Sequence, residues 1–232
     1  MSLNQLYAGR EAYYLPVYSV REAARLIGIS PTTVREWSRM GPRPLVDKKG
    51  PGGALSFLNL VELHVLASIR HQHQVPLERV RQALDYVRRQ WGKESPLAEQ
   101  QFETDGADLF VRALNDGLLI NASRHGQVAI AEVMGAYLQR IERASDGFPL
   151  RLFPLYRGHA DTAAEVRQAP ALIAVDPAVS FGRPVLVQTN IPVDVVLSRY
   201  RAGDSISELA EDFCLPIPHI EEAIRYELGH AA

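Results

Sequence analysis

The sequence predicts a mainly α protein with small β-hairpins, an α+β chain whose helices gather towards its two ends. Three observations point there. Apolar residues recur every three or four positions through residues 18–92 and again through 191–226, the period of a helix with one buried face. Between them lie short apolar runs bounded by Gly, Pro, Asn and Asp, long enough only for hairpin strands. Apolar residues make up 47% of the chain, enough for a packed core, yet no run reaches the roughly 18 continuous apolar residues of a membrane span. We expect three units: 1–92, a linker and mixed α/β region over 93–170, and 171–232.

The first element is a short arm over residues 1–17, with Tyr7, Tyr13 and Tyr14 placed to pack against the first unit or a partner chain. Next come two short helices at a tight turn, from Tyr18 to Gly41. Val20, Ala23, Ala24 and Ile27 form the apolar stripe of the first. Gly28 breaks it, because glycine takes backbone angles that other residues resist. Ser30 then stands as an N-cap, and Pro31 sits where a missing N–H costs nothing. Val34 and Trp37 give the second helix its inner face. This is a helix-turn-helix pattern, whose second helix enters the DNA major groove. Ser30, Thr32, Thr33, Arg35 and Arg39 are its candidate DNA contacts; the competing reading is a helical hairpin inside another all-α core.

Pro42 and Pro44 end that helix. Leu45–Val46 and Ala54–Phe57 then read as two strands around a turn-rich tip, a wing whose Arg43, Lys48 and Lys49 are placed to meet phosphates. A solvated loop has the same composition. Ser56 or Asn59 caps a helix to about His73, with Leu60, Leu63, Leu66 and Ile69 inside. His64, His71 and His73 lack the spacing and supporting ligands of a metal site, and no metal or cofactor is expected. A further helix from Val75–Pro76 to Trp91–Gly92 carries Leu77, Val80, Leu84 and Val87.

The pattern over residues 18–87 resembles the N-terminal domain of MerR-type regulators: helix-turn-helix, wing, then a Pro-Leu-Glu-x-Val stretch matched by Pro76–Val80. The resemblance implies that Thr32, Thr33 and Arg35 occupy recognition-helix positions in a dimer on double-stranded operator DNA. Trp37 and the Ser56–Phe57 pair fit too. Ala54 and Leu55 stand where that family usually has arginines, so the recognition helix is expected to carry more of the contact.

In the middle region, Leu109–Ala113 and Leu118–Asn121 read as strands around Asn115-Asp116-Gly117, a strong hairpin turn, and Arg124–Ile130 as another turn and strand. An amphipathic helix follows from Ala131 to about Arg143. No set of acids, bases and nucleophiles converges anywhere, so a non-enzymatic protein is expected.

The last unit begins with two short strands, Ile173–Val175 and Pro184–Val187. A helix from Ile191–Pro192 carries Val195, Val196 and Tyr200 and ends at Gly203. Ser205 and Glu208 form a capping box for the next helix, with Ile206, Leu209 and Phe213 inside. Pro218 opens the last helix, with Ile220, Ile224 and Tyr226, so these two helices make a second helix-turn-helix by pattern. The single cysteine, Cys214, reads as a small buried thiol; one cysteine allows no intrachain disulfide and fits a reducing cytoplasm.

About 55 residues here resemble the DUF433 family, small domains found in antitoxins of type II toxin–antitoxin systems. Gly182-Arg183-Pro184-Val185, Thr189, Ile191-Pro192-Val193, and the run from Tyr200 through Gly203-Asp204-Ser205-Ile206 to Phe213 carry the match, with Ala223, Ile224 and Tyr226. Gln188 and Asn190 depart from its glycine and arginine. The combination is similar to VapB-type antitoxins of the longer kind. It implies a PIN-like ribonuclease toxin as partner, neutralised by cations near its acidic metal site, with Arg151, Arg157 and Arg167 as candidates. Strand edges around Gly182 suggest a homodimer through this segment.

Charge agrees with a division of labour. Residues 1–100 hold 14 Arg and Lys against 9 Asp and Glu, and residues 101–232 hold 11 against 18, so halves of about +5 and −7 hide inside a net −2. A basic first half suits contact with nucleic acid at one end only. The alternative is a stand-alone MerR-like transcription regulator whose middle region senses a ligand.

Overall fold

The computed structural model describes residues 9–39, 44–47, 53–73, 76–92, 95–99, 102, 110, 124–155 and 162–229. In chain order its helices are α1 (Glu11–Tyr14), α2 (Val20–Ile27), α3 (Pro31–Arg39), α4 (Phe57–His73), α5 (Leu77–Trp91), α6 (Arg124–Leu138), α7 (Ala163–Gln168), α8 (Val193–Ala202), α9 (Ile206–Asp212) and α10 (Ile217–Gly229). Strands β1 (Ile141–Arg143) and β2 (Pro149–Leu152) pair antiparallel, as do β3 (Ile173–Ala174) and β4 (Val185–Leu186). The fold is mainly α with small β-hairpins, as the sequence predicts.

Helix α4 is the axis of the larger core. Leu60, Val61, Leu63, Val65, Leu66 and Ala67 are all buried, so this helix is apolar on nearly every side and must be enclosed. It packs against α1, α2, α6 and β2. Its start is a reciprocal cap. The Ser56 amide donates to Asn59 Oδ1 at 3.1 Å, and the Asn59 amide donates to Ser56 Oγ at 3.3 Å. His64 is enclosed too, with Nε2 3.0 Å from the Tyr137 carbonyl oxygen. Burial pushes its pKa down to about 3, which makes it a neutral core histidine. Among the described residues no group of three or more His, Cys, Asp or Glu could hold a metal ion.

One continuous buried cluster runs from Ala12 through α2–α6 to Val166 and Val175; a second joins β3, β4 and α8–α10. The arm contributes Tyr13, whose ring meets Phe57 and Phe148 edge-on at 5.5 and 5.2 Å. Tyr14 is exposed, and Tyr7 lies outside the described residues.

The middle region departs from expectation. Arg124–Ile130 is not a turn and strand but the first half of α6, and the helix stops at Leu138 instead of running to Arg143. Val133, Met134, Ala136, Tyr137 and Leu138 are buried, and packing of α6 on α4 outweighs the weak helix propensity of Gly126 and Val128. Ile141–Arg143 is the first strand of a hairpin with Pro149–Leu152. The hairpin expected over Leu109–Asn121 lies outside the described residues, apart from Phe110, which is helical and buried. Arg140 holds this region together. Its guanidinium donates to the carbonyls of Phe153 (2.8 Å), Ala169 (3.0 Å) and Pro170 (2.9 Å), at the end of α7 and the end of the hairpin. Burial lowers its pKa to about 10, so it stays charged.

The C-terminal helices form as predicted, with Ser205 and Glu208 making their capping box. Three side chains differ. Val195 and Tyr200 lie on the exposed face of α8, because Val193, Val196 and Leu197 set its buried side. Cys214 is exposed, at a left-handed residue (φ 52°) just beyond α9, where the chain has left the apolar face.

Candidate nucleic-acid interface

Helix α2 opens on a capping box between Ser19 and Glu22 and ends on left-handed Gly28. There the Ile29 amide reaches back to the Ala24 carbonyl (3.0 Å) and the Gly28 amide to Arg25 (3.2 Å), a closure that reverses the chain in one residue and needs glycine's positive φ. Ile29 is buried, and Ser30 Oγ accepts the Thr33 amide at 3.0 Å, starting α3. Ala23, Ala24, Leu26 and Ile27 on α2 and Val34 and Trp37 on α3 belong to one buried cluster, and the two helices pack on each other. The turn geometry and apolar contacts together hold α3 at a fixed angle.

Thr32, Arg35 and Arg39 face solvent at spacings of three and four, one stripe along α3. Neither arginine has a carboxylate partner among the described residues. Thr33 belongs to the other face. It is 5% exposed, and its hydroxyl lies 2.9 Å from that of Ser30, so both side chains brace the turn and Thr33 is not part of the stripe. Arg43, Lys48 and Lys49 lie outside the described residues.

The flanks of the expected wing do not pair with each other. The amides of Leu45 and Val46 donate to the Trp37 carbonyl at 2.8 and 3.3 Å, capping the end of α3, and Leu55 exchanges backbone bonds with Tyr18 at 3.0 and 2.8 Å. Both are fully buried. Arg88 on α5 donates to the Leu45 carbonyl at 3.0 Å, so a third helix fixes the exit of the stripe. An apolar pair such as Leu45–Val46 reads as strand from sequence; here burial beneath α3 decides its conformation.

Behind this unit, the C-terminal segment is pinned to α2 and to the chain just before it. Tyr18 donates to the Gly182 carbonyl (3.0 Å), Tyr13 to Asp176 (3.3 Å), and Arg25 pairs with Glu227 (3.1 Å), whose side chain is almost wholly buried. These contacts span more than 160 residues of sequence, and no local signal predicts them. Of the three candidate toxin-facing cations, Arg151 is engaged internally with Glu142 and Asp176 at 3.2 and 3.5 Å, and Arg167 is exposed. Arg157 lies outside the described residues.

The edges around Gly182 are closed within the chain. Val175 exchanges two backbone bonds with Leu152 (3.0 and 2.8 Å), while Leu186 and Val193 donate to Ile191 and Pro184 at 2.9 and 3.0 Å. The expectation of strand edges open to a second subunit is therefore corrected.

These features define a class: a helix-turn-helix unit joined to a second helical segment that carries a short hairpin. Residues 18–87 match the MerR HTH family regulatory proteins, and residues 173–226 match DUF433, a family of proteins of unknown function. Nearly the whole chain is similar to the Mycobacterium tuberculosis (strain ATCC 25618 / H37Rv) protein named "Putative antitoxin VapB45". The two are 26% identical over 236 residues, spanning 90% of this chain and 93% of the relative. The fold is also that of the crystal structure of Rv2018 from Mycobacterium tuberculosis, at a TM-score of 0.70 and 24% identity over 91% of this chain and 99% of that one.

Proposed function

We propose that this protein is an antitoxin that binds and silences a PIN-like ribonuclease toxin and represses its own operon by binding operator DNA as a dimer. The observation that carries the reading is the exposed Thr32–Arg35–Arg39 stripe on a braced second helix, in a chain similar along its length to a protein named as an antitoxin. Arginine forks suit guanine edges and phosphates, and the basic first half of the chain draws them to DNA. Two copies related by a two-fold axis would present two such helices to a palindromic operator. With its strand edges closed, the C-terminal segment would join the copies through side chains. Arg167 stands exposed for a toxin's carboxylates. The protein acts in the cytoplasm without catalysis of its own, and among the described residues no helix is long and apolar enough to cross a membrane.

Co-expression with the product of the neighbouring open reading frame, followed by size-exclusion chromatography with light scattering and an operator shift at several salt concentrations, tests this reading. A 2:2 or 2:1 complex and a salt-dependent shift are expected. A monomer that ignores both ribonuclease and operator would refute it.

A second reading has its own observation. A cleft of about 490 Å³ lies between the arm, the start of α4 and the β1–β2 turn, lined by Arg10, Tyr14, Asp47, Asn59 and Phe148 among others. Its size suits a small ligand, as a stand-alone regulator with a sensing middle region would need. A small molecule that changes operator affinity with no toxin present would favour it.

A further inference from the structure

We propose that Glu62 is a proton switch for operator binding: with Asn59 and Arg88, its buried carboxyl group governs the 44–47 segment that caps the recognition helix α3, and ionisation loosens that cap. This rests on the operator-binding reading.

Glu62 lies in the second turn of α4 and is 1% exposed. Its Oε2 accepts the Asn59 side-chain amide at 3.1 Å, and the same amide group donates to the Asp47 carbonyl at 3.2 Å. Arg88, buried on α5, donates to the Leu45 carbonyl at 3.0 Å. Side chains from two helices thus hold the segment at Leu45 and at Asp47. Between those anchors the Leu45 and Val46 amides bond the Trp37 carbonyl, two residues before Arg39 at the end of the exposed stripe. A hydrogen-bonded path therefore leads from an enclosed acid to the end of the helix that meets DNA. Buried networks of this kind are sensitive to the charge of any one member.

Groups on every side set that charge. The Asn59 amide, the Arg88 guanidinium and a hydrogen bond from Ser95 favour the anion, while the Asp47 carboxylate opposes it. Arg88 is shared, since it also pairs with Asp85 at 3.4 Å. Enclosure outweighs the favourable groups and raises the pKa from 4.5 to about 7. His64, two residues along the same helix, is already neutral there. The neutral acid leaves Arg88 to the Leu45 carbonyl. The anion draws that guanidinium towards itself and repels the carboxylate of Asp47, a residue of the capping segment. Asn59 and Ser95 also line the cleft beside the arm, which gives the proton a way in from solvent.

Fluorescence anisotropy tests the switch, with a labelled duplex of the DNA upstream of the chain's own reading frame. Affinity is measured at constant ionic strength from about pH 5.5 to about pH 8.5, a range that brackets the transition. Wild-type affinity should fall about threefold more across this range than that of Glu62→Gln, which is neutral throughout. Other titrating groups are common to both chains and drop out of the comparison. Ser95→Ala removes a donor that favours the anion, so the midpoint of its profile should move to higher pH, a change that a merely structural role for Ser95 would not produce. Melting curves at each pH confirm that the compared chains are folded; Glu62→Gln should lose less stability than the wild type at the alkaline end. Parallel profiles for the wild type and Glu62→Gln, a wild-type affinity that rises with pH relative to the variant, or a midpoint unmoved in Ser95→Ala overturns the switch and leaves operator binding standing. A wild-type chain that binds the duplex at no pH overturns both.

Discussion

At the scale of the residue, two side chains adjacent in sequence take opposite roles. Thr32 faces water and Thr33 is buried against Ser30. Replacing Arg35 by alanine should weaken operator binding about 10- to 100-fold with Tm unchanged, as expected for about 1–3 kcal/mol of base contact. Thr33→Ala should show the reverse, a loss of about 1 kcal/mol of stability with little effect on DNA once folded. Gel shift and thermal melting on the two variants read both. Glu62 is a second such residue. It is fully enclosed and accepts the Asn59 side-chain amide at 3.1 Å, and burial raises its pKa from 4.5 to about 7. At pH 5.5 the folded chain keeps that proton while the unfolded chain has largely released its own. Stability from this group is therefore present below pH 4.5 and lost as pH rises through 7. At about 1.4 kcal/mol per pKa unit, the loss is on the order of 3 kcal/mol. Urea unfolding at pH 5 and pH 8 should show a smaller drop for Glu62→Gln than for the wild type.

At the scale of the element, the two ends of the chain were far more legible than the middle. Ser205, Glu208 and the apolar spacing of Leu209, Ile220 and Ile224 are local signals, and the helices they imply are present. The turn at Gly28 to Pro31 is local in the same way, with one glycine, one cap and one proline each having a distinct geometric job. The first half of α6 reads as turn and strand because it carries a glycine and β-branched residues, and packing against α4, some 60 residues earlier, makes it helical. Leu45–Val46 reads as a strand because the pair is apolar, but burial beneath α3 and bonds to the Trp37 carbonyl decide its conformation. Arg140 shows what such long-range organisation costs to disturb. Its donors meet carbonyls at the end of α7 and of the β1–β2 hairpin, and no lysine offers that fork. Arg140→Lys should therefore destabilise the fold by about 2–4 kcal/mol, by the count of charged hydrogen bonds lost. At this chain length that lowers Tm by roughly 4–16 °C, which calorimetry can read.

At the scale of the whole molecule, the helix-turn-helix and the DUF433 segment are not independent beads. Tyr18, Arg25, Gly182 and Glu227 join them behind the exposed stripe, and this junction was invisible in a sequence whose two matching segments lie some 85 residues apart. Removing Arg25 leaves the Glu227 carboxylate enclosed without its cation, a change that is costly in buried settings and milder here because Arg25 is partly solvated. Arg25→Ala should cost about 1–2 kcal/mol and speed amide exchange in α10 more than in α4, measurable by hydrogen–deuterium exchange. Two cations of the basic first half, Arg35 and Arg39, lie on the exposed stripe of α3.

The proposed silencing of a ribonuclease can be tested in solution. The most direct measurement is RNA cleavage by a PIN-like ribonuclease expressed from the neighbouring open reading frame, titrated with this chain. Cleavage falling to background near one equivalent, with Arg35→Ala as effective as the wild type, is the predicted result. Cleavage that continues undiminished at a several-fold excess of protein would contradict it.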